Sequence, residues 1–422
     1  MSSNISFINH ACIQYKGNNL KVLFDPWFSG KVFNNSWALL QETEIKKSKF
    51  KDVTHICISH EHPDHLHFLT LRKILEVCET VPTLIFPLRT NEFVRTALEK
   101  TGFNVVFAPR DGSELKLNDH VSVAYFGEQE DHDNSIVLST DEITILNQND
   151  HYTARETVSK INQRYPDIDL LFTQFSLAGY YGNSDDEDAI TKNGTKFHID
   201  RLLQYTDDFQ PKVVIPFASY VYFCHPFNRY LNNYIVTPKD VSEALLKRGQ
   251  AFQLPWFDDE IYIDDRLREE KNQTSLPKLD NLFDKKNFLI NENNSKSDKE
   301  VIKEFSDSIS EVPMLQRLFV FSKYSLKNLL KRFLFPKFST KIYLEDIDVL
   351  IKWNVISNKI EKLPTHSMDE IDLYTVSDQF VFMVKFPFGI DTFNIAACHR
   401  LAGNNKGLLQ SVLWVKNRSH YH

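Results

Sequence analysis

The sequence has no surplus of positive charge. Its 49 lysines and arginines are outnumbered by 56 aspartates and glutamates, giving a formal net charge of −7. A chain that neutralises phosphates needs the opposite balance, so nucleic acid is not an expected partner. Cysteine is scarce: Cys12, Cys57, Cys78, Cys224 and Cys398 are scattered and odd in number. That fits reduced thiols in a cytoplasm better than a disulfide framework. Met1-Ser2-Ser3-Asn4-Ile5 has no basic region followed by an apolar stretch, so no signal peptide is expected. No apolar run reaches the length of a membrane span. No internal repeat is visible, and there is no flavin or nicotinamide fingerprint. What is there is a 422-residue chain with 42% apolar residues, enough for a large core and two or three domains.

The chain is organised around Ser59-His60-Glu61-His62-Pro63-Asp64-His65. Upstream, Val53 to Ile58 is β-branched and apolar and reads as a short buried strand. Downstream, Leu66 to Glu79 has helical spacing, so the cluster sits in a strand-to-helix loop. A packed core can satisfy one histidine, but three histidines and an aspartate in one loop would each need a separate partner. A metal removes that difficulty, and imidazole nitrogens with a carboxylate suit Zn, Fe or Mn. His60 and His62, two apart, can point the same way in extended backbone and hold one ion, while Asp64 and His65 turn towards a second. The bland alternative is a polar surface loop.

Other strand ends carry similar groups. Leu20 to Phe24 ends in Asp25-Pro26-Trp27-Phe28-Ser29-Gly30, where Asp25 reads equally as a turn carboxylate or as a group orienting a ligand histidine. His10 lies at a strand edge; alone it reads as an ordinary satisfied histidine. Ile143 to Leu146 ends in Asn147-Gln148-Asn149-Asp150-His151, and Asp150 is placed either to cap a turn or to bridge two metals. Lys212 to Pro216 leads to Cys224-His225-Pro226, with His225 a potential ligand; Cys224, adjacent to it, points the opposite way in extended chain.

His60-x-His62-x-Asp64-His65, with Asp150 and His225 at later strand ends, resembles the metallo-β-lactamase superfamily. The likeness extends to the branch containing the CMP-N-acetylneuraminate hydroxylases, through His10-Ala11, Asp25-Pro26-Trp27, Gly30, Phe33, Ser36-Trp37, Leu39-Leu40, Leu146-Asn147, Gln174-Phe175-Ser176, Pro216-Phe217-Ala218, Tyr220 and His225-Pro226. It covers roughly residues 5 to 257. It implies an α+β fold: an αββα sandwich with a metal site at one edge, followed by a smaller C-terminal α+β domain. The branch also carries a Rieske domain, whose centre needs Cys-x-His and Cys-x-x-His. No cysteine here has a histidine two residues on, so this chain has no electron feed of its own. The superfamily supplies a further histidine before the Asp150 strand. His132 is the histidine in that polar loop, with a water or a nearby carboxylate as its alternative.

Three regions are expected: residues 1–265 catalytic, 266–300 a linker or exposed loop, and 301–422 a small α+β domain of unknown role. Asn291 to Glu300 lacks apolar residues. Leu315 to Phe338 is apolar and basic with no acid; a packed helix with a solvated basic face is preferred to a membrane-surface helix.

The expected chemistry is hydrolysis. Two divalent ions, zinc or iron, held by His60, His62, Asp64, His65, His132, Asp150 and His225 would activate a water against an ester, lactone or phosphodiester of a small, sugar-derived molecule. Asp64, His10 and Tyr180 are the candidate catalytic groups, His10 or Tyr180 donating to a developing oxyanion. The alternative is a di-iron oxygenase that hydroxylates a sugar nucleotide and needs a reductase partner. A metal-binding but silent scaffold is the third class, and the intact ligand set speaks against it.

Overall fold

The computed structural model describes residues 3–88, 92–128, 133–312, 339–354, 357–365 and 371–402. Its first six-stranded sheet runs in chain order: Asn4–Asn9, Cys12–Gly17, Leu20–Phe24, His55–Cys57, Thr83–Pro87 and Asn104–Ala108. The second does the same with Asp111–Lys116, Val121–Phe126, Ser135–Thr140, Thr144–Asn149, Leu170–Gln174 and Val213–Phe217. Each starts as an antiparallel meander and ends in parallel strands. Parallel pairs need long crossovers, and helices such as Phe68–Val77 and Phe197–Phe209 supply them.

The sequence of the central strands explains the layering. Val22 and Phe24 face the second sheet, while Leu23 between them faces the outer helices; Cys57 and Ile85 point inward, Ile56 and Leu84 outward. Strands buried on both faces read as unbroken apolar runs. Helix Phe68–Val77 completes the outer layer: Leu71 and Ile74, three apart, are buried against the sheet, and the His67 side chain at its N-cap accepts from the Thr70 amide. Each such buried Leu or Ile stabilises by about 1.5–3 kcal/mol. The αββα sandwich expected from the sequence is therefore what forms.

The boundaries after it differ from expectation. Residues 266–300, read as a linker, carry helix Asp265–Leu282, capped by Asp264. Its Leu279 and the following Phe283 are buried in the core between the sheets. Its apolar residues are too sparse among charged ones to show a clear period, so packing rather than propensity makes this helix. Irregular chain follows over 288–297. A five-stranded sheet, in the order Lys359–Leu363, Val349–Asn354, Ser339–Leu344, Leu373–Thr375 and His399–Leu401, then packs with helices Asp298–Ser310, Ser377–Lys385 and Gly389–Ala396 around Trp353, Phe305 and Phe380. The basic stretch 315–338 lies outside the described residues. Among those described, no helix is long and apolar enough to cross a membrane.

This C-terminal unit is docked on the sandwich. Ala396, Ala397 and Cys398 join an apolar cluster with Trp27, Val32, Phe33 and Trp37. The Asn228 side chain donates to the carbonyls of Ser36 and Ala396 at 3.1 and 2.8 Å. Gln379 donates to the Asn34 carbonyl at 2.9 Å. Next to Gln379, burial raises the carboxyl of Asp378 from an ordinary 3.8 to about 6. A raised acid binds its proton more tightly in the folded state. Its contribution is thus fully present below about pH 4 and lost as pH rises through about 6. The loss should approach 3 kcal/mol (about 3, from two pH units). Asp378→Asn should flatten denaturant-midpoint changes between these pH values; an unchanged slope would show that Asp378 does not carry it.

Candidate metal centre

Loops at one edge of the sandwich bring the polar groups together. His10 follows strand Asn4–Asn9, Asp25 follows Leu20–Phe24, residues 59–65 follow His55–Cys57, and Asp150 follows Thr144–Asn149. Several of these ends are strained. His10, Asp25, Asn149 and Ala218 have φ of 38°, 41°, 52° and 52°, the left-handed region that side chains with a Cβ avoid. The Ala218 amide donates to the His10 carbonyl at 2.8 Å, holding two of these bends together. Each such residue costs on the order of 1–3 kcal/mol, and this strain is concentrated where donors are aimed inward.

Three groups of possible metal donors result: His60, His62 and Asp133; His60, His65 and Asp150; and His10, Asp64 and His65. His60 Nε2 lies 2.8 Å from His62 Nδ1 and 3.5 Å from an Asp133 oxygen. His65 Nε2 lies 3.3 Å from Asp150 and 3.4 Å from Asp64. His10 Nε2 is 3.4 Å from the same Asp64 oxygen. Behind the donors, Asp25 Oδ2 stands 3.2 Å from His65 Nδ1, and its other oxygen accepts the Ser59 amide at 2.7 Å. The Ser59 hydroxyl reaches Nδ1 of both His60 and His65, at 2.9 and 3.3 Å. Asn134, held by Arg110 at 2.6 Å, donates to the Ser59 carbonyl at 2.6 Å and ties the Asp133 loop to the motif loop.

The electrostatics ask for a cation. Burial drives the His60 imidazole well below its usual pKa, with repulsion from His65 adding to it, so His60 is neutral. Burial also opposes the charge on Asp64 and Asp150, yet nearby His65 holds both carboxyls below the ordinary range. His65, which burial alone would neutralise, is pushed well above its usual value by Asp150, Asp64 and Asp25. Converging carboxylates around a buried imidazolium are the environment a divalent ion would satisfy. Among the described residues, His10 Nδ1, Asp64 Oδ1, His65 Nε2 and Asp150 Oδ1 are buried without a hydrogen-bond partner. Orphaned buried atoms of ligand type in one cluster fit a metal pair.

Other expected residues lie elsewhere. His225 joins none of the three donor groups. Strand Val221–Phe223 pairs with Trp37–Leu39 in a small separate sheet and leads His225 to the joint with the C-terminal unit, where Asp346 is its charged neighbour. Its Nδ1 accepts the Phe227 amide at 3.1 Å. His10 stands beside Asp64 and His65. Tyr180 also turns away, donating to Asn183 at 2.5 Å and stacking on His399 with ring centroids 4.4 Å apart. His132 lies outside the described residues. Asp133, its neighbour, is a carboxylate of the kind expected as the alternative to His132, and it groups with His60 and His62.

Asp25→Ala should lower metal affinity about 10–100-fold by freeing the His65 ring. Competition with a chromogenic chelator measures this, and an unchanged affinity would remove Asp25 from the orienting role.

The site opens into a cavity of about 900 Å³ whose wall includes Glu61, His62 and Asp133 on one side and Phe388 and Ile395 of the C-terminal unit on the other.

Two facing sheets with a histidine–carboxylate cluster at one edge define a metallo-β-lactamase fold. Residues 4–154 match the model of the beta-lactamase superfamily domain. The chain is 27% identical over 270 residues to the cytidine monophosphate-N-acetylneuraminic acid hydroxylase of Danio rerio, covering 60% of this chain and 44% of that one. The Xenopus laevis enzyme of the same name is 26% identical over 268 residues, with 60% and 44% covered. The chain thus spans less than half the length of these relatives. A metallo hydrolase from Ignicoccus hospitalis aligns with a TM-score of 0.44 at 15% identity, over 62% of this chain and 98% of that one. CmlA, a diiron beta-hydroxylase from Streptomyces venezuelae, aligns at 0.43 and 13%, over 62% and 54%.

Proposed function

We propose that this chain is a non-haem iron oxygenase that hydroxylates a small organic molecule, fed with electrons by a separate reductase. One observation carries the reading: a carboxylate, Asp133, meets His60 and His62. Two histidines and one carboxylate with open positions are the donor set suited to non-haem Fe(II) and oxygen. The similarity to hydroxylases over 60% of the chain supports it. His60, His62 and Asp133 would hold one ion and His10, Asp64 and His65 a second, and Asp150 groups with His60 and His65. When bound, iron there would supply oxygen activation. A hydroxylation of this class would place one oxygen atom of O2 in a C–H bond and release the other as water, taking two electrons from the reductase and two protons from the solvent. The chain's own residues position the ligands and shape the cavity. Asp25 and Ser59 fix the ligand rings, and the C-terminal unit supplies one wall of the cavity beside them.

A second reading, hydrolysis, is supported by Asp150, which lies within one donor group with both His60 and His65 and could bridge two zinc ions that activate a water. Metal analysis of anaerobically purified protein, then oxygen uptake with a chemical reductant, separates the two. About two irons per chain and reductant-dependent uptake are expected. Two zinc ions with no response to oxygen would put hydrolysis first.

A further inference from the structure

The cavity beside the donor cluster differs in character from the cluster itself. Its polar end is His62, Glu61 and Asp133. Away from that end the wall is mostly aromatic and aliphatic, drawn from four parts of the chain. Phe33 comes from the loop after Lys31–Val32, Phe68 from the first turn of the motif helix, Phe93 from helix Glu92–Glu99, and Phe382, Phe388 and Ile395 from the C-terminal unit. The rings form a connected surface. Phe93 and Phe388 lie 6.3 Å apart across the gap between the two units, and Phe382, Phe386 and Phe388 pack together with ring centroids 4.6 to 5.9 Å apart. The apolar surface continues outside: Phe93 is 61% exposed, Leu69 58% and Phe68 39%. Contiguous exposed apolar surface at the mouth of a cavity marks a site for an apolar partner.

A sugar nucleotide asks for something else. Its phosphate is held by arginines, lysines or a helix N-terminus. The described wall contains one such cation, Lys31, whose ammonium is turned to Asn291, and the first turns of helices Phe68–Val77 and Gly389–Ala396, the latter carrying Asp391; against these stand three carboxylates, Glu61, Asp133 and Asp391.

We infer that the cavity takes an uncharged amphiphile: a small polar end at His62 and Asp133, and an alkyl or aryl body along Phe33, Phe93, Phe382 and Phe388. This rests on the oxygenase or hydrolase site being where the polar end is placed, and it deepens either reading by naming the substrate class. The C-terminal unit then has a role, because it supplies the wall that selects the apolar body.

Calorimetric titration of the purified, metal-containing full chain tests it with three probes: n-octyl β-D-glucoside below its micelle concentration, phenyl β-D-glucoside, and cytidine monophosphate. At least one neutral glucoside should saturate one site per chain, at least about tenfold tighter than the nucleotide. The octyl and phenyl arms tell an alkyl body from an aryl one. Phe388→Asp should weaken that binding at least about tenfold, since it places a charge in the apolar wall. Phe93→Asp, on the other unit, should do the same, and metal content and thermal midpoint show that each variant is folded. Tighter binding of cytidine monophosphate, saturation by none of the three, or glucoside binding untouched by both variants overturns the inference. None of these outcomes depends on which metal is bound or on oxygen uptake, so failure here is distinct from failure of the proposed reaction.

Discussion

Protein carrying His60→Ala and His62→Ala is expected to retain about half the metal of the unaltered chain, and no activity. Both imidazoles aim at one point, with nitrogens 2.8 Å apart and Asp133 beside them. Removing them leaves Asp133 as the one donor of that group, and a single carboxylate does not hold a transition ion against solvent. The second group, His10, Asp64 and His65, would keep its ion, so the loss should be partial in metal and complete in function. The fold should survive. His60 is in a loop, and the core beneath it is built by Ile56, Leu84 and their neighbours. Elemental analysis with a circular dichroism control measures both. Full metal content in the double variant would show that these histidines are structural.

Asp133→His separates the two readings of the reaction. It converts two histidines and a carboxylate into three histidines, the set that favours zinc with a bound water. Metal should still bind, with a shift from iron towards zinc, while reductant-dependent oxygen uptake should fall by at least about a hundredfold, consistent with loss of the carboxylate that suits iron. Hydrolytic turnover, if that is the native chemistry, would persist or rise. Oxygen uptake unchanged in this variant would mean that Asp133 does not set the metal chemistry, and the oxygenase proposal would lose its main support. Asp133→Glu is the companion: keeping the carboxylate, it should retain most of the iron while testing how closely the loop is positioned by Asn134 and Arg110.

Much of this architecture was readable along the chain. Runs such as Val22 to Phe24 and Leu84 to Phe86 are apolar at every position, which a strand buried on both faces requires. The motif loop announced metal chemistry because no core can satisfy so many imidazoles at once, and Asp150 could be placed at a strand end by the same local logic. These are properties of neighbours in sequence: pleat, pitch and side-chain chemistry act over a few residues. The helix Asp265–Leu282 escaped because its stability comes from a few buried contacts, with Leu279 and Phe283 reaching a core made elsewhere.

Only the tertiary structure decided which strand ends face each other. His10 and Asp64 are 54 residues apart, and nothing local to either tells that they touch. Asp133 became a candidate ligand because Asn134 reaches across 75 residues to the Ser59 carbonyl. His225 was drawn the other way by the pairing of Val221–Phe223 with Trp37–Leu39. The cavity, shared between the motif loop and helices more than three hundred residues later, exists through packing of two units. The chain determines by itself what chemistry it carries, because that is written in residue types and short spacings. Where the chemistry meets, and what kind of molecule can reach it, is set by long-range contacts whose partners have no local signature.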